Sequence, residues 1–351
     1  MRILKPLWLL LLLAVALVFP LLFPNPTVTT MMIFALLFAA IATGWNIISG
    51  YTGYVALGHT AFFGIGAYAL ALMCQDWHIP GGYEPFYLIP VAGLVVLPIS
   101  AFFGWIALRV RRHTFIVITI AMFFVVQLLA YNLRFITNGS TGLSLPLPTD
   151  WSGDFYNIPF YYVTLLLLLI SLAVSWWIRN SKFGLGLLAI RDDEDRAMGL
   201  GVRTNASKLA AFIISAVIVG MAGAIWAYFV ESIYPASTFD PNFDVAMALM
   251  AFLGGLGTLS GPVLGALIVE LAQQYFTIQY GQNGYYLIVY GALFLIVIIF
   301  MPRGIIPTAR DLWRKYRVAR SQQVIEVNLA TTPAASKGAS TDTEKKEGIN
   351  L

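Results

Sequence analysis

Eight stretches of about 20 residues are predominantly apolar and hold no Asp, Glu, Lys or Arg. A helix needs about 20 apolar residues to cross the hydrocarbon core of a bilayer. Runs of that kind occupy 7–23, 29–48, 54–73, 87–108, 114–133, 160–178, 209–230 and 284–301. A ninth apolar stretch, 243–272, is longer and is broken in its middle by Gly254, Gly255, Gly257, Gly261 and Pro262, which favour a turn between two shorter segments. The count is ten crossings. Only 11% of the residues are charged, against about 25% in a typical soluble domain, too few to clothe a globule in water. The expected fold is therefore an all-α, polytopic transmembrane helical bundle.

Charge placement orients that bundle. Positive residues collect on the cytoplasmic side of membrane proteins. With a cytoplasmic N-terminus and ten alternating spans, only Arg134 of the 21 Lys and Arg residues falls outside. Counting 243–272 as one crossing would put the C-terminal basic cluster outside, so the charge map supports the broken hairpin and places both termini in the cytoplasm. Loops 75–86, 134–159 and 231–242 then face outward. The organisation expected is a first transmembrane helix and outer turn over 1–28, a transmembrane domain over 29–308 with an inner loop at 179–208, and a basic segment with a polar, disordered cytoplasmic tail over 309–351. Residues 7–23 also suit a signal peptide, but Phe23-Pro24-Asn25-Pro26 offers no small-residue cleavage site, which favours an uncleaved span.

Three stretches stand out. In Gly50–Tyr68, the small residues Gly58, Ala61, Gly64, Gly66 and Ala67 allow helices to approach closely, either for packing alone or along a translocation path. His59 is the one ionisable side chain deep in an unbroken span, with a functional role and a plain structural hydrogen bond both open. In the inner loop, Leu187 to Met198 reads as a short amphipathic helix, with Arg191–Asp195 and Asp192–Arg196 as i,i+4 pairs and Gly199 and Gly201 as its stop. Such a helix suits docking in a groove of a soluble partner, and its run Asp192–Asp195 makes it a poor fit to an anionic membrane surface. The residues expected to make that contact are Leu187, Ile190, Arg191, Asp192, Glu194, Ala197, Met198, Gly199 and Gly201. In Leu253–Leu267, the glycines make a tight turn that also suits irregular backbone beside a pathway. Gly58, His59, Phe62, Gly66, Gly254, Gly255 and Gly257 are the candidates to line that path.

Absences narrow the function. No Gly-Lys pair occurs, so there is no phosphate-binding loop of the P-loop kind. One cysteine, Cys74, and the scattered His59, His78 and His113 give no disulfide and no metal constellation. Asp244, Glu231 and Glu270 fall near expected outer ends, so no chain of ionisable groups is expected at the midplane, where an ion-coupled pump keeps them. No catalytic residues, metal, cofactor or nucleic-acid partner is expected. With a docking helix on the inner loop, the pattern points to the membrane subunit of an ATP-driven importer.

The motifs together resemble a known family. Gly50–Tyr68, Ala189–Val202, Leu253–Ala266 and the Pro302-Arg303-Gly304-Ile305 that follows the last span are similar, in the same order, to signatures of the branched-chain amino acid ABC transporter permeases. The arrangement is closest to that family's LivM-type subunits, over about residues 30–308. The resemblance implies a bacterial or archaeal plasma-membrane complex in which this chain meets two ABC ATPase subunits, a second related permease and an extracytoplasmic binding protein. ATP and Mg would be used by the ATPases, and the ATPase-coupling helix would be Leu187–Gly201. Urea or short amides are the alternative solute, since a sister group shares the signatures. An intramembrane enzyme is the alternative of another class.

Overall fold

The computed structural model describes residues 4–23, 25–148, 151, 156–280, 291–292, 295 and 304–314. The expected span 284–301 lies almost wholly outside them, as does the tail from residue 315. The chain divides into two units, 1–306 and 307–351, and the described part of the second, 307–314, is helical.

The described residues of the first unit fold as an α-helical bundle. In chain order the helices are α1 (Leu4–Leu22), α2 (Pro26–Thr52), α3 (His59–Asp76), α4 (Glu84–Ala107), α5 (Arg112–Asn132), the single turn α6 (Arg134–Thr137), α7 (Asn157–Asn180), α8 (Lys182–Asp192), α9 (Glu194–Gly199), α10 (Thr204–Val230), the single turn α11 (Pro235–Thr238), α12 (Pro241–Gly254) and α13 (Gly261–Tyr280). Five of them, α2, α4, α5, α7 and α10, are each long and apolar enough to cross a membrane. A two-residue antiparallel pair, β1 (Leu143–Ser144) with β2 (Ser232–Ile233), joins loops at one end, with Leu143 opposite Ile233. That end also holds the bond from the Gly82 amide to the Tyr228 hydroxyl and the one from Asn157 to the Pro26 carbonyl. At the other end, Arg112, Arg179, Arg191 and Lys208 are all in polar contact with neighbouring segments.

Local rules explain the helix ends. Pro26 begins α2 behind Asn25, whose side chain accepts from the Thr27 amide. Pro20, inside α1, has no N–H for the Ala16 carbonyl. The Tyr161 hydroxyl of α7 donates to that carbonyl at 2.7 Å, and Tyr162 donates to Leu17. This is how α1 attaches to the bundle.

Two helix assignments need correction. The span expected over 54–73, with 29–48 ending before it, begins later. Helix α2 continues through Ser49 and Gly50 to Thr52, Gly53 ends it with φ 73°, and residues 54–58 are non-helical before α3 starts at His59. Gly50 serves close approach instead of turning: a Cβ there would overlap the Asn46 side chain and crowd the Gly257 amide. The single inner-loop helix is two helices, because Asp193 adopts an extended backbone (φ −158°, ψ 112°) and caps α9 by accepting from the Arg196 amide. The break expected within 243–272 is present as the non-helical residues 255–260 between α12 and α13.

The core is made by α2, α3, α10 and the α12–α13 pair. Between α3 and α10 the backbones touch: a Cβ on Gly66 would collide with the Gly220 carbonyl, and one on Gly223 with the Phe63 backbone. Small residues give such contact in membranes. Because the obstacle is backbone, Gly66→Val should destabilise the bundle by about 1–3 kcal/mol or more. Fluorescence-detected size exclusion after heating should show an earlier loss of the monodisperse peak, and an unchanged melting profile would refute the backbone contact.

Candidate functional site

Two polar assemblies interrupt the apolar bundle. The first is at the basic end. Arg112 at the start of α5 donates through Nη2 to the carbonyls of Ile190 and Arg191, at 2.7 and 2.6 Å. Arg191 donates to the Gly50 carbonyl at 2.8 Å, and Arg179 to that of Gly257 at 3.2 Å. Helix C-termini leave carbonyls unpaired and carry partial negative charge. Guanidinium groups here join the ends of α2 and α8 and the α12–α13 turn. Asn46 completes the seam from within α2, accepting from the Gly257 amide at 2.8 Å and donating to the Thr258 carbonyl at 3.0 Å.

Beside this seam, Lys208 of α10 is 2% exposed and lies 2.5 Å from the Glu194 carboxylate. The Tyr54 hydroxyl also bonds to Glu194, and the Lys208 ammonium lies 4.5 Å from the centre of the Tyr54 ring. Burial acts to raise the pKa of Glu194, and the hydrogen bonds from Lys208 and Tyr54 with the charges of Lys208 and Arg112 outweigh it, leaving the value below normal. A cleft of about 510 Å3 opens next to the pair, with Arg109, Arg111 and His113 on one wall and Asp192, Asp193 and Asp195 on the other.

The second assembly is the helix break at His59. The His59 and Thr60 amides donate to one oxygen of Asp244, at 2.8 and 3.2 Å, so a carboxylate from α12 caps α3. The His59 Nε2 is 2.8 Å from the Ser215 hydroxyl of α10. Ser215 lies eleven residues into α10, about 16 Å along the helix, so the break is near mid-depth. Glu270, nine residues into α13 and buried, is about 14 Å along that helix and accepts from Gln274. Asp244 and Glu270 therefore lie deep and not at the outer ends expected of them: Asp244 reaches the helix break at His59, and α13 runs on past Glu270 to Tyr280. Glu231, bonded by Tyr156, is at the end of the bundle opposite the arginine seam.

The expected docking residues separate into two sets. Leu187, Ile190 and Ala197 are buried, Glu194 turns to Lys208, and Arg191 reaches Gly50, so all five hold the loop onto the bundle. Asp192, Met198, Gly199 and Gly201 face outward with Asp195, Arg196 and Leu200. Neither expected i,i+4 pair forms, because Asp193 breaks the helix. Arg196 pairs instead with Asp193 at 3.0 Å, and Asp195 lies 3.8 Å from Arg111. Gly58, His59, Phe62, Gly66, Gly254 and Gly255 are buried among helices of this chain, and Gly257, half-buried, sits in the arginine seam. Sequence reasoning missed Asn46, Tyr54, Arg112, Lys208 and Ser215. The signal available was a polar residue inside an apolar run, which Asn46 and Ser215 both are.

A family model described as branched-chain amino acid transport system / permease component matches residues 27–298. The chain belongs to this family. The LivM protein of the Escherichia coli K12 high-affinity branched-chain amino acid transport system, a permease protein, is 27% identical over 82% of this chain and 72% of its own length. The LivH permease protein of the same system is 27% identical over 77% of this chain and 91% of its own. An autoinducer 2 import permease, LsrC of Yersinia pseudotuberculosis, is 33% identical over 32% of each chain. No solved structure matches. The chain is thus a multi-pass membrane protein of a branched-chain amino acid permease family.

The inner loop of this permease carries a pH signature. The depressed pKa of Glu194 stabilises loop docking at every pH above the ordinary glutamate value of about 4.3, and that contribution disappears as pH falls through the depressed value. Proteolysis between Arg191 and Arg196 should stay flat from neutral pH down to about 4.3 and rise only below it. A rise centred at pH 6–7 would show that Glu194 does not control docking.

Proposed function

We propose that this chain is the membrane-spanning permease subunit of an ATP-binding cassette importer in a bacterial or archaeal plasma membrane. It passes branched-chain or related amino acids delivered by an extracytoplasmic binding protein. The family match and the LivM and LivH relatives support this reading. The bundle crosses the membrane ten times with both termini in the cytoplasm, so the basic end faces the cytoplasm. Two ATPase subunits, which use ATP and Mg, dock there, and a second, related permease completes the membrane pair.

One observation carries the proposal. On the loop that joins α7 to α10, Met198 and Leu200 are 58% and 83% exposed beside Asp192, Asp195 and Arg196. An apolar knob ringed by charges on a short helix, held rigidly from beneath by Arg112 and Lys208, has the form of an element that seats in a groove of a soluble partner. The small size of α9 and its charge of both signs argue against a resting place in lipid.

Tagged protein extracted in mild detergent from native membranes should bring down P-loop ATPases, a second permease and a solute-binding protein, and the ligand of that binding protein names the solute. The double substitution Met198→Asp with Leu200→Asp should lower ATPase recovery about tenfold at unchanged permease yield, as expected for loss of central apolar anchors. Full ATPase recovery with the double variant would place the docking surface elsewhere.

A further inference from the structure

One face of α10 is tied to both ends of the non-helical linker. Lys208 is bonded to Glu194 at 2.5 Å and lies 3.2 Å from the Tyr54 hydroxyl. Ser215, seven residues and two turns further on, is bonded to His59. Between these anchors the linker is held by side chains. The Tyr54 amide donates to Thr52 Oγ1, the Ala56 amide to Ser49 Oγ and the Leu57 amide to Thr119 Oγ1, each at 3.2 Å, and Trp45 Nε1 donates to the Ala56 carbonyl at 2.7 Å. Each of these bonds can be remade by turning one side chain, whereas a helical ladder must break cooperatively. At the linker's far end, His59 Nδ1 is buried without a partner. Burying such an atom is costly, and a second arrangement of the break that pairs it would recover the loss.

We propose that Glu194, Lys208 and Tyr54 form a joint through which movement of α8 and α9 passes along residues 54–58 to the helix break at His59. The three are positioning residues: they touch neither ATPase nor solute, and they turn displacement of the loop into displacement of the α3 start. Asp244, bonded to the His59 and Thr60 amides, carries the shift on to α12. The proposal rests on the reading of α8–α9 as the ATPase-docking element.

The test is hydrogen–deuterium exchange on the complex as it co-purifies with its ATPases, with and without ATP plus vanadate, following peptides over 53–60 and 182–201. In the wild type both peptides should change on trapping, residues 53–60 by about tenfold, since the Tyr54, Ala56 and Leu57 amides rest on single hydroxyl bonds. In Glu194→Gln the 182–201 response should persist while that of 53–60 falls to within about twofold of the untrapped state. Tyr54→Phe keeps the ring and should lose part of the response, and it carries the test if Glu194→Gln does not assemble. A full 53–60 response in both variants overturns the joint, as does a wild type in which 182–201 responds and 53–60 does not. A wild type in which 182–201 itself does not respond overturns the docking reading instead.

Discussion

Every interruption of a helix in this bundle has to be closed by a side chain. Inside hydrocarbon no water satisfies a free N–H or C=O, and each one left bare costs several kcal/mol. The chain loses a ladder bond at Pro20 and breaks its helices at 53–58 and 255–260, and each place has its own closure. Tyr161 takes the carbonyl that Pro20 leaves open. Ser49, Thr52 and Thr119 take linker amides, and Asp244 takes the first amides of α3. Asn46 takes both an amide and a carbonyl of the 255–260 turn. The buried polar residues are thus explained by backbone demand before any transport role is invoked. In particular, a deep carboxylate such as Asp244, which would mark an ion path in many transporters, is engaged here in capping a helix.

At the basic end the same demand is met by charge. The last carbonyls of α2 and α8 and the Gly257 carbonyl each accept from an arginine held on another segment. An arginine can serve two carbonyls at once, as Arg112 does, because its donors are fixed in a planar fork. These basic residues therefore sew the segments of the chain together. Met198 and Leu200 can stand out from the bundle because the loop behind them is fastened at Arg112, Arg191 and Lys208.

Much of the fold was legible in the sequence. Hydrophobic runs located the membrane-length helices, and the glycine cluster located the 255–260 break. What remained hidden follows from how hydropathy works. Helices α2, α4 and α5 are similarly apolar, yet 83% of the most apolar window of α2 is buried inside the protein against 28% for α4 and for α5. Apolarity reports removal from water and treats lipid and protein alike. The distinction lies in side-chain size: Ala39, Ala40, Ala42, Thr43 and Gly44 make α2 a core helix, whereas α4 and α5 turn Leu94, Phe102, Val117 and Leu128 outward. The linker start was misplaced for a related reason, since Tyr54–Gly58 are apolar enough to pass for helix and their unravelling depends on partners far away in the chain.

The inner loop shows the limit of periodicity most clearly. A 3–4 spacing identifies one face of a helix without saying what it meets. The face that carries Leu187 and Ile190 was read as a surface for a partner, but its partner is the chain's own bundle. Two facts decide this. Lys208 lies in an apolar helix, where an unpaired ammonium would be prohibitively costly, so it must draw a carboxylate toward it. Asp193, in turn, can cap a new helix only by ending the previous one, which rotates Met198 and Leu200 outward as Glu194 turns in. A basic residue at the start of an apolar span, read together with the nearest acids across the preceding loop, would have found the pair, and the outward face would then have followed as its opposite.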